Sequence, residues 1–192
     1  MCLIFIAVKN HSRYKLIVAA NRDEFYKRRT APASFWKDHP EILGGRDLEA
    51  SGTWLGMTKN GRICMVTNFR DLRNINPNAP SRGKLVTDFL LDKIPAEAYL
   101  QKVEAYAKKY NGFSLIAGTV DSLHYFSNYK DGLILLNSGL FGLSNHLLET
   151  PWPKVEKGKK EIEILLKSQV IKAEDLFKVL SDESIKIGRA HV

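Results

Sequence analysis

Long hydrophobic runs are missing from this 192-residue chain, and cysteine nearly so. The longest early apolar stretch, Leu3 to Val8, is too short for a signal-peptide core or a membrane span, and no basic stretch precedes it. An integral membrane segment is therefore not expected. With only two cysteines, Cys2 and Cys64, a disulfide framework is excluded, and a reducing, cytoplasmic setting is expected. There is no GxGxxG, no Walker A loop and no zinc-ligand spacing. The five histidines (11, 39, 124, 146 and 191) stand singly, so no metal site is expected. Internal repeats and low-complexity tracts are also missing, which excludes solenoids and fibrous classes. Acidic residues are outnumbered, 21 against 29 basic ones, for a net charge of +8. The densest basic cluster, "KVEKGKK", is mixed with acids and opens an amphipathic segment. It reads as a solvated helix face, and no nucleic-acid partner is expected.

What is present fits one globular domain: 44% apolar and 26% charged residues, in a chain long enough to bury its own core. Residues 2–8 and "YKLIVAA" (14–20) read as a hairpin around "KNHSR". Residues 21–46, with Pro32, Pro40 and Gly44-Gly45, read as a long irregular stretch. "TWLGMT" and "RICMVTN" flank Asn60-Gly61, which signals a type I′ hairpin. Two helices follow, one starting at Ser81 as N-cap and one with Pro95 in its first turn. Then come strands at "FSLIAG", "LHYFSN", "LILL" and "LFGLSN", and two closing helices near 155–168 and at "AEDLFKVLS". This order is α+β with mainly antiparallel sheets, compatible with a four-layer αββα sandwich.

Chemistry concentrates at the start. If Met1 is removed, as the small second residue favours, Cys2 carries a thiol and a free α-amine. The amine, with an ordinary pKa of about 7.7–8.0, can take the thiol proton, so nucleophile and base share one residue. This is the arrangement of N-terminal nucleophile hydrolases. "AANRDEF" brings Asn21, Arg22, Asp23 and Glu24 to the end of the second strand, beside Cys2 if the hairpin forms. Asp23 there can hold the α-ammonium and Arg22 can favour a thiolate, while Glu24 can equally pair with Lys27 or Arg28. Asn68 and Asn145 end later strands, where a side-chain amide can donate to a developing oxyanion. Cys64, in an apolar strand, is expected to be inert.

The series "MCLIF", "LIVAANRDEFY", "FWKDHPEILGGRD", "GTWLGM", "VTNFRD", "SRGKLV", "YNGFSLIAG", "FGLSNHLLETPWPKV" and "VLSDES" resembles the NRDE family, in order from residue 1 to about 185. The resemblance implies an N-terminal nucleophile hydrolase-like fold. Choloylglycine hydrolases are similar at fewer points. By that likeness Cys2 matches the nucleophile, Asp23 the amine-holding aspartate, and Asn68 and Asn145 fall near two asparagines. Their arginine three residues ahead of the aspartate is replaced by Ala20, and Arg22 adjoins the aspartate instead. The family is further linked to haem mobilisation, to lipid or acyl-CoA homeostasis and, in animals, to Golgi and secretory organisation.

Three functions follow from this reading. The first is a handler of haem or acyl lipid in a cleft. It requires no cofactor, takes haem as one expected ligand, and has Asn21, Arg22 and His146 as candidate ligand contacts. The second is a cysteine amidohydrolase acting on a carbon–nitrogen amide, using Cys2, Asp23, Asn68, Asn145 and Arg22. The third is a non-catalytic scaffold. His124, within a strand, is expected to be structural.

The C-terminus carries a separate signal. Lys186 to Val192 back-translate as AAG ATC GGA AGA GCA CAC GTC, with TGA next. From the second base this reads AGATCGGAAGAGCACACGTCTGA, the start of a common sequencing-library adapter. The expectation is one NRDE-type domain over 1–185, incomplete at its C-terminus, with 186–192 as adapter read-through, exposed strand edges and a tendency to aggregate.

Overall fold

The computed structural model describes residues 2–25 and 27–181, so the expectations for Met1 and for Lys186–Val192 lie outside the described residues. In chain order the elements are β1 (Leu3–Val8), β2 (Leu16–Asn21), β3 (Thr30–Phe35), β4 (Ile42–Asp47), β5 (Leu55–Thr58) and β6 (Arg62–Asn68). Then come α1 (Gly83–Leu91), α2 (Ala96–Tyr106), a 3-10 turn at Ala107–Lys109, β7 (Phe113–Thr119), β8 (Ser122–Ser127), β9 (Lys130–Leu136) and β10 (Gly139–Leu143). Helices α3 (Pro153–Leu165) and α4 (Ala173–Leu180) follow.

Among the described residues the strand pairs are antiparallel and form two sheets, β10-β1-β2 and β3-β4-β5-β6-β7-β8-β9. The period-2 alternation of β1 sets the layers. Ile4, Ile6 and Val8 meet Ile63, Met65, Ile116 and Tyr125 between the sheets, while Leu3 and Phe5 meet Val155 and Ile162 of α3. On the far face of the large sheet, Cys64, Leu115 and Phe126 pack beneath Leu85, Phe89, Leu100 and Val103 of α1 and α2. The expected αββα sandwich results. Gly158 makes the α3 contact possible, because a Cβ there would come within 2.1 Å of the Phe5 ring. Arg62, at the start of β6, donates to the Phe89 carbonyl in the last turn of α1 at 2.9 Å and to the Ile94 carbonyl in the connection to α2 at 3.0 Å.

Three local readings are corrected. Residues 21–46 contain β3 and much of β4. Pro32 is tolerated because β3 is an edge strand, and a register shift between Ala31 and Ser34 breaks its pattern. The β5–β6 connection is not type I′. Gly61 alone has positive φ (85°), and its N–H bonds the Thr58 carbonyl at 2.9 Å, giving a three-residue loop with a left-handed glycine. Ser81 does not cap α1 with its side chain; Arg82 occupies the N-cap.

Candidate functional site

Cys2 immediately precedes β1, and Leu3 is paired with Asn21, so the register sets Cys2 against Arg22. Alternation then sorts the neighbours. Cys2 and Arg22 share the phase of Ile4 and Ala20, which face the space between the sheets. Asn21, one residue earlier, points the other way: its Nδ2 donates to the Leu180 carbonyl of α4 at 3.3 Å.

A cavity of about 1000 Å³ opens beside Cys2. Val18, Ala33, Leu43, Leu55, Met57 and Ile63 supply apolar surface from the strands. Arg22, Asp23, Glu24, Arg28, Arg46, Asp47, Asn68 and Arg82 bring the polar groups. Most of the charge is paired. Arg22 contacts Glu24 at 2.8 Å and Asp47 at 3.8 Å, and Arg28 contacts Asp47 at 2.8 Å. Burial works against the Asp47 carboxylate, but amide hydrogen bonds from Ala50 and Glu49 and the Arg28 guanidinium hold its pKa below the usual range.

The main chain of Cys2 is pinned. Its carbonyl accepts from the Ser144 hydroxyl at 2.8 Å and from the Lys154 ammonium at 3.3 Å. Burial pushes the Cys2 thiol above its ordinary pKa, and Arg22 and Lys154 pull it down without reversing the shift. Arg22 thus acts in the expected direction, but desolvation outweighs it. Lys154, itself half-buried, is lowered to about 8 by desolvation, partly offset by Cys2.

The sequence matches the transport and Golgi organisation 2 family over residues 1–191. The chain belongs to that family. It is 42% identical over 173 residues to the bovine transport and Golgi organization protein 2 homolog, covering 83% of this chain and 62% of the relative. The human homolog is 39% identical over 196 residues, with 95% and 71% covered, and the Drosophila melanogaster protein is 31% identical over 190 residues, with 88% and 66% covered. The chain therefore spans about 62% of the length of the bovine relative. Among solved structures, a Caenorhabditis elegans N-acylethanolamine-hydrolyzing acid amidase ortholog superimposes with a TM-score of 0.62 at 10% identity, over 97% of this chain and 88% of that one. That likeness establishes an N-terminal nucleophile hydrolase-like fold.

Within this transport and Golgi organisation 2 fold, the residues singled out from the sequence divide into two groups. Cys2, Arg22, Asp23 and Asn68 line one cavity. Asn145 is buried behind them. Its Nδ2 donates to the Asn68 carbonyl at 3.1 Å, and its Oδ1 has no partner among the described residues. His146 is not on the cavity wall; its Nδ1 is 2.9 Å from the Thr150 hydroxyl and its ring lies 4.5 Å from that of Phe69. His124 lies within β8, and Asn21 faces α4. Glu24 pairs chiefly with Arg22, and with Arg28 at 3.8 Å.

Among the site residues that escaped the sequence reading are Arg82, Ser144 and Lys154. Each stands inside a quoted motif, "SRGKLV", "FGLSN" or "ETPWPKV", but no local spacing connects them to Cys2. Only the folded chain brings α1, β10 and α3 to the head of β1. Among the described residues no helix is long and apolar enough to cross a membrane, and no cluster of metal-ligating side chains occurs.

Proposed function

We propose that this chain binds an acyl lipid in the cavity beside Cys2. The observation that carries the reading is the cavity itself. It has about 1000 Å³ of space, at the upper end for small-molecule sites, with apolar strand side chains facing arginines and a cysteine. Such a lining suits an amphiphile with an alkyl chain and a polar head. Haem fits it less well. Among the described residues no histidine lines the cavity, its sulfur atoms belong to Cys2 and Met57, and burial raises the Cys2 thiol pKa, which disfavours the thiolate ligand. The test is binding of a fluorescent fatty-acid analogue to wild type and to Ala33→Trp. Ala33 lines the cavity from the exposed edge strand β3, so the bulkier side chain fills the space without disturbing the core. Loss of binding at unchanged melting temperature supports the reading; undiminished binding places the ligand elsewhere.

A cysteine amidohydrolase is the second reading, favoured by Cys2, Asp23, Arg22 and Asn68 lining one cavity. In it the thiol sulfur attacks the amide carbon. The α-amine exposed by loss of Met1 takes the thiol proton and passes it to the departing amine. Water then cleaves the thioester, releasing the acid and restoring the thiol. Asp23 orients the α-amine, and Asn68 donates to the oxyanion. Intact mass of natively expressed protein is the first check, because retained Met1 leaves no terminal amine on Cys2.

A further inference from the structure

Four arginines line the cavity: Arg22, Arg28, Arg46 and Arg82. Three are answered by carboxylates. Arg22 pairs with Glu24, Arg28 with Asp47, and Arg46 with Asp38 through two contacts of 2.6 and 2.8 Å. Arg82 is different. Its Nη1 donates to the Gly112 carbonyl at 3.0 Å, and none of the described carboxylates forms an ion pair with it. Glu24 is the acid that influences it most, and Glu24 is already engaged by Arg22 and Arg28.

A guanidinium does not shed its proton to escape burial, so a half-buried one without an anion carries a desolvation cost that an anionic ligand offsets. The group is also held in place. The Gly112 contact fixes the guanidinium, and the start of α1 is pressed against the segment after β4, where a Cβ on Gly52 would come within 2.7 Å of the Gly83 carbonyl carbon. An anchored donor fork on the wall of a cavity that also presents apolar strand side chains is preorganised for a planar or tetrahedral oxyanion.

We propose that Arg82 is the anion anchor of the cavity: the acyl ligand carries a carboxylate or phosphate group that docks on its guanidinium, while the alkyl chain lies against the strand side chains. The proposal rests on the acyl-lipid reading and narrows it to acyl anions over neutral acyl amides.

The experiment is titration calorimetry of palmitate, 1-palmitoyl lysophosphatidic acid and N-palmitoylethanolamine with wild type, Arg82→Gln and Arg82→Lys. With wild type, at least one anion binds about tenfold tighter than the neutral amide, and whichever anion does so identifies carboxylate or phosphate as the head. In Arg82→Gln the preference falls to within about twofold, and Arg82→Lys, which keeps the charge but not the fork, retains part of it. Should Arg82→Gln fail to fold, the wild-type preference and the Arg82→Lys titration decide alone. Equal binding of all three lipids to wild type, or a full preference surviving in Arg82→Gln, overturns the proposal and leaves the acyl-lipid reading standing. Binding of none of the three overturns that reading, and this proposal with it.

Discussion

Cys2 and Cys64 are both buried thiols, yet they occupy regions built on opposite principles. Cys64, at 0% exposure, belongs to one buried cluster with Leu85, Phe89 and Leu100 beneath α1 and α2, a mainly apolar region with the Arg62 guanidinium over the Phe89 ring. Cys2, at 9%, borders a cavity, has its carbonyl held by Ser144 and Lys154, and has Arg22 beside it. Desolvation raises both thiols. At Cys64 the shift is large despite the opposing Arg62 guanidinium and Met65 amide, whereas around Cys2 Arg22 and Lys154 oppose it from beside the cavity. Burial by packing makes a side chain part of the fold. Burial beside a polar cavity leaves it available to whatever enters.

The sharpest break between the two regions is access. Iodoacetamide at pH 7 is expected to modify Cys2 about a hundredfold faster than Cys64, because Cys64 is reached only when the sheet–helix layer opens. Peptide mapping after timed quenching measures this, and equal rates would mean that Cys2 is sealed as well. Stability separates them next. Cys64→Ser places a hydroxyl in an apolar cluster and is expected to cost about 2 kcal/mol in urea denaturation. Cys2→Ser, with polar groups and a cavity at hand, is expected to cost under about 1 kcal/mol. A larger loss at Cys2 than at Cys64 would invert the comparison.

How far this contrast could be read from the residues follows from the range of each signal. Cys64 is fixed by local alternation: in "RICMVTN" it shares a face with Val66, and that face meets the helices. The Cys2–Arg22 meeting was also legible, since hairpin pairing needs only two apolar runs and the turn between them. The same alternation, applied one residue further, separates Asn21 from Arg22, because neighbouring strand residues face opposite sides. β3 and β4 were hidden because Pro32 and Gly44-Gly45 read as breakers, yet an edge position and close strand approach accommodate them: a Cβ on Gly44 would come within 2.9 Å of the Leu55 carbonyl oxygen. Arg82, Ser144 and Lys154 carry no such signal. Their roles depend on how α1, β10 and α3 dock around β1, which is decided by the cores and not by spacing along the chain.

Lys154 offers the smallest and most specific way to sharpen the comparison. Desolvation lowers its folded pKa to about 8, against 10.5 as its ordinary value. Below pH 8 the lysine is charged in both folded and unfolded states, and the folded chain bears the full cost of burying that charge. Between pH 8 and 10.5 the unfolded state holds more protons, so this residue makes stability rise with pH. Cys2 acts in the opposite sense. Its folded pKa is raised above 9.0, so its contribution declines once pH passes 9.0 and the unfolded thiol ionises. Lys154→Met removes the rising contribution and leaves the falling one. The variant is therefore expected to gain on wild type below pH 8 and to lose that advantage progressively between pH 8 and 10.5, by a modest amount because Lys154 remains partly in water. The same substitution takes a cation from beside Cys2, so alkylation of Cys2 is expected to slow about two- to threefold while Cys64 is unaffected. Melting temperatures across pH 7–10.5 and paired alkylation rates test both halves. If wild type and Lys154→Met keep a constant difference over that range, or if Cys2 reacts at the same rate in both, the Lys154 charge is not coupled to the Cys2 side of the molecule.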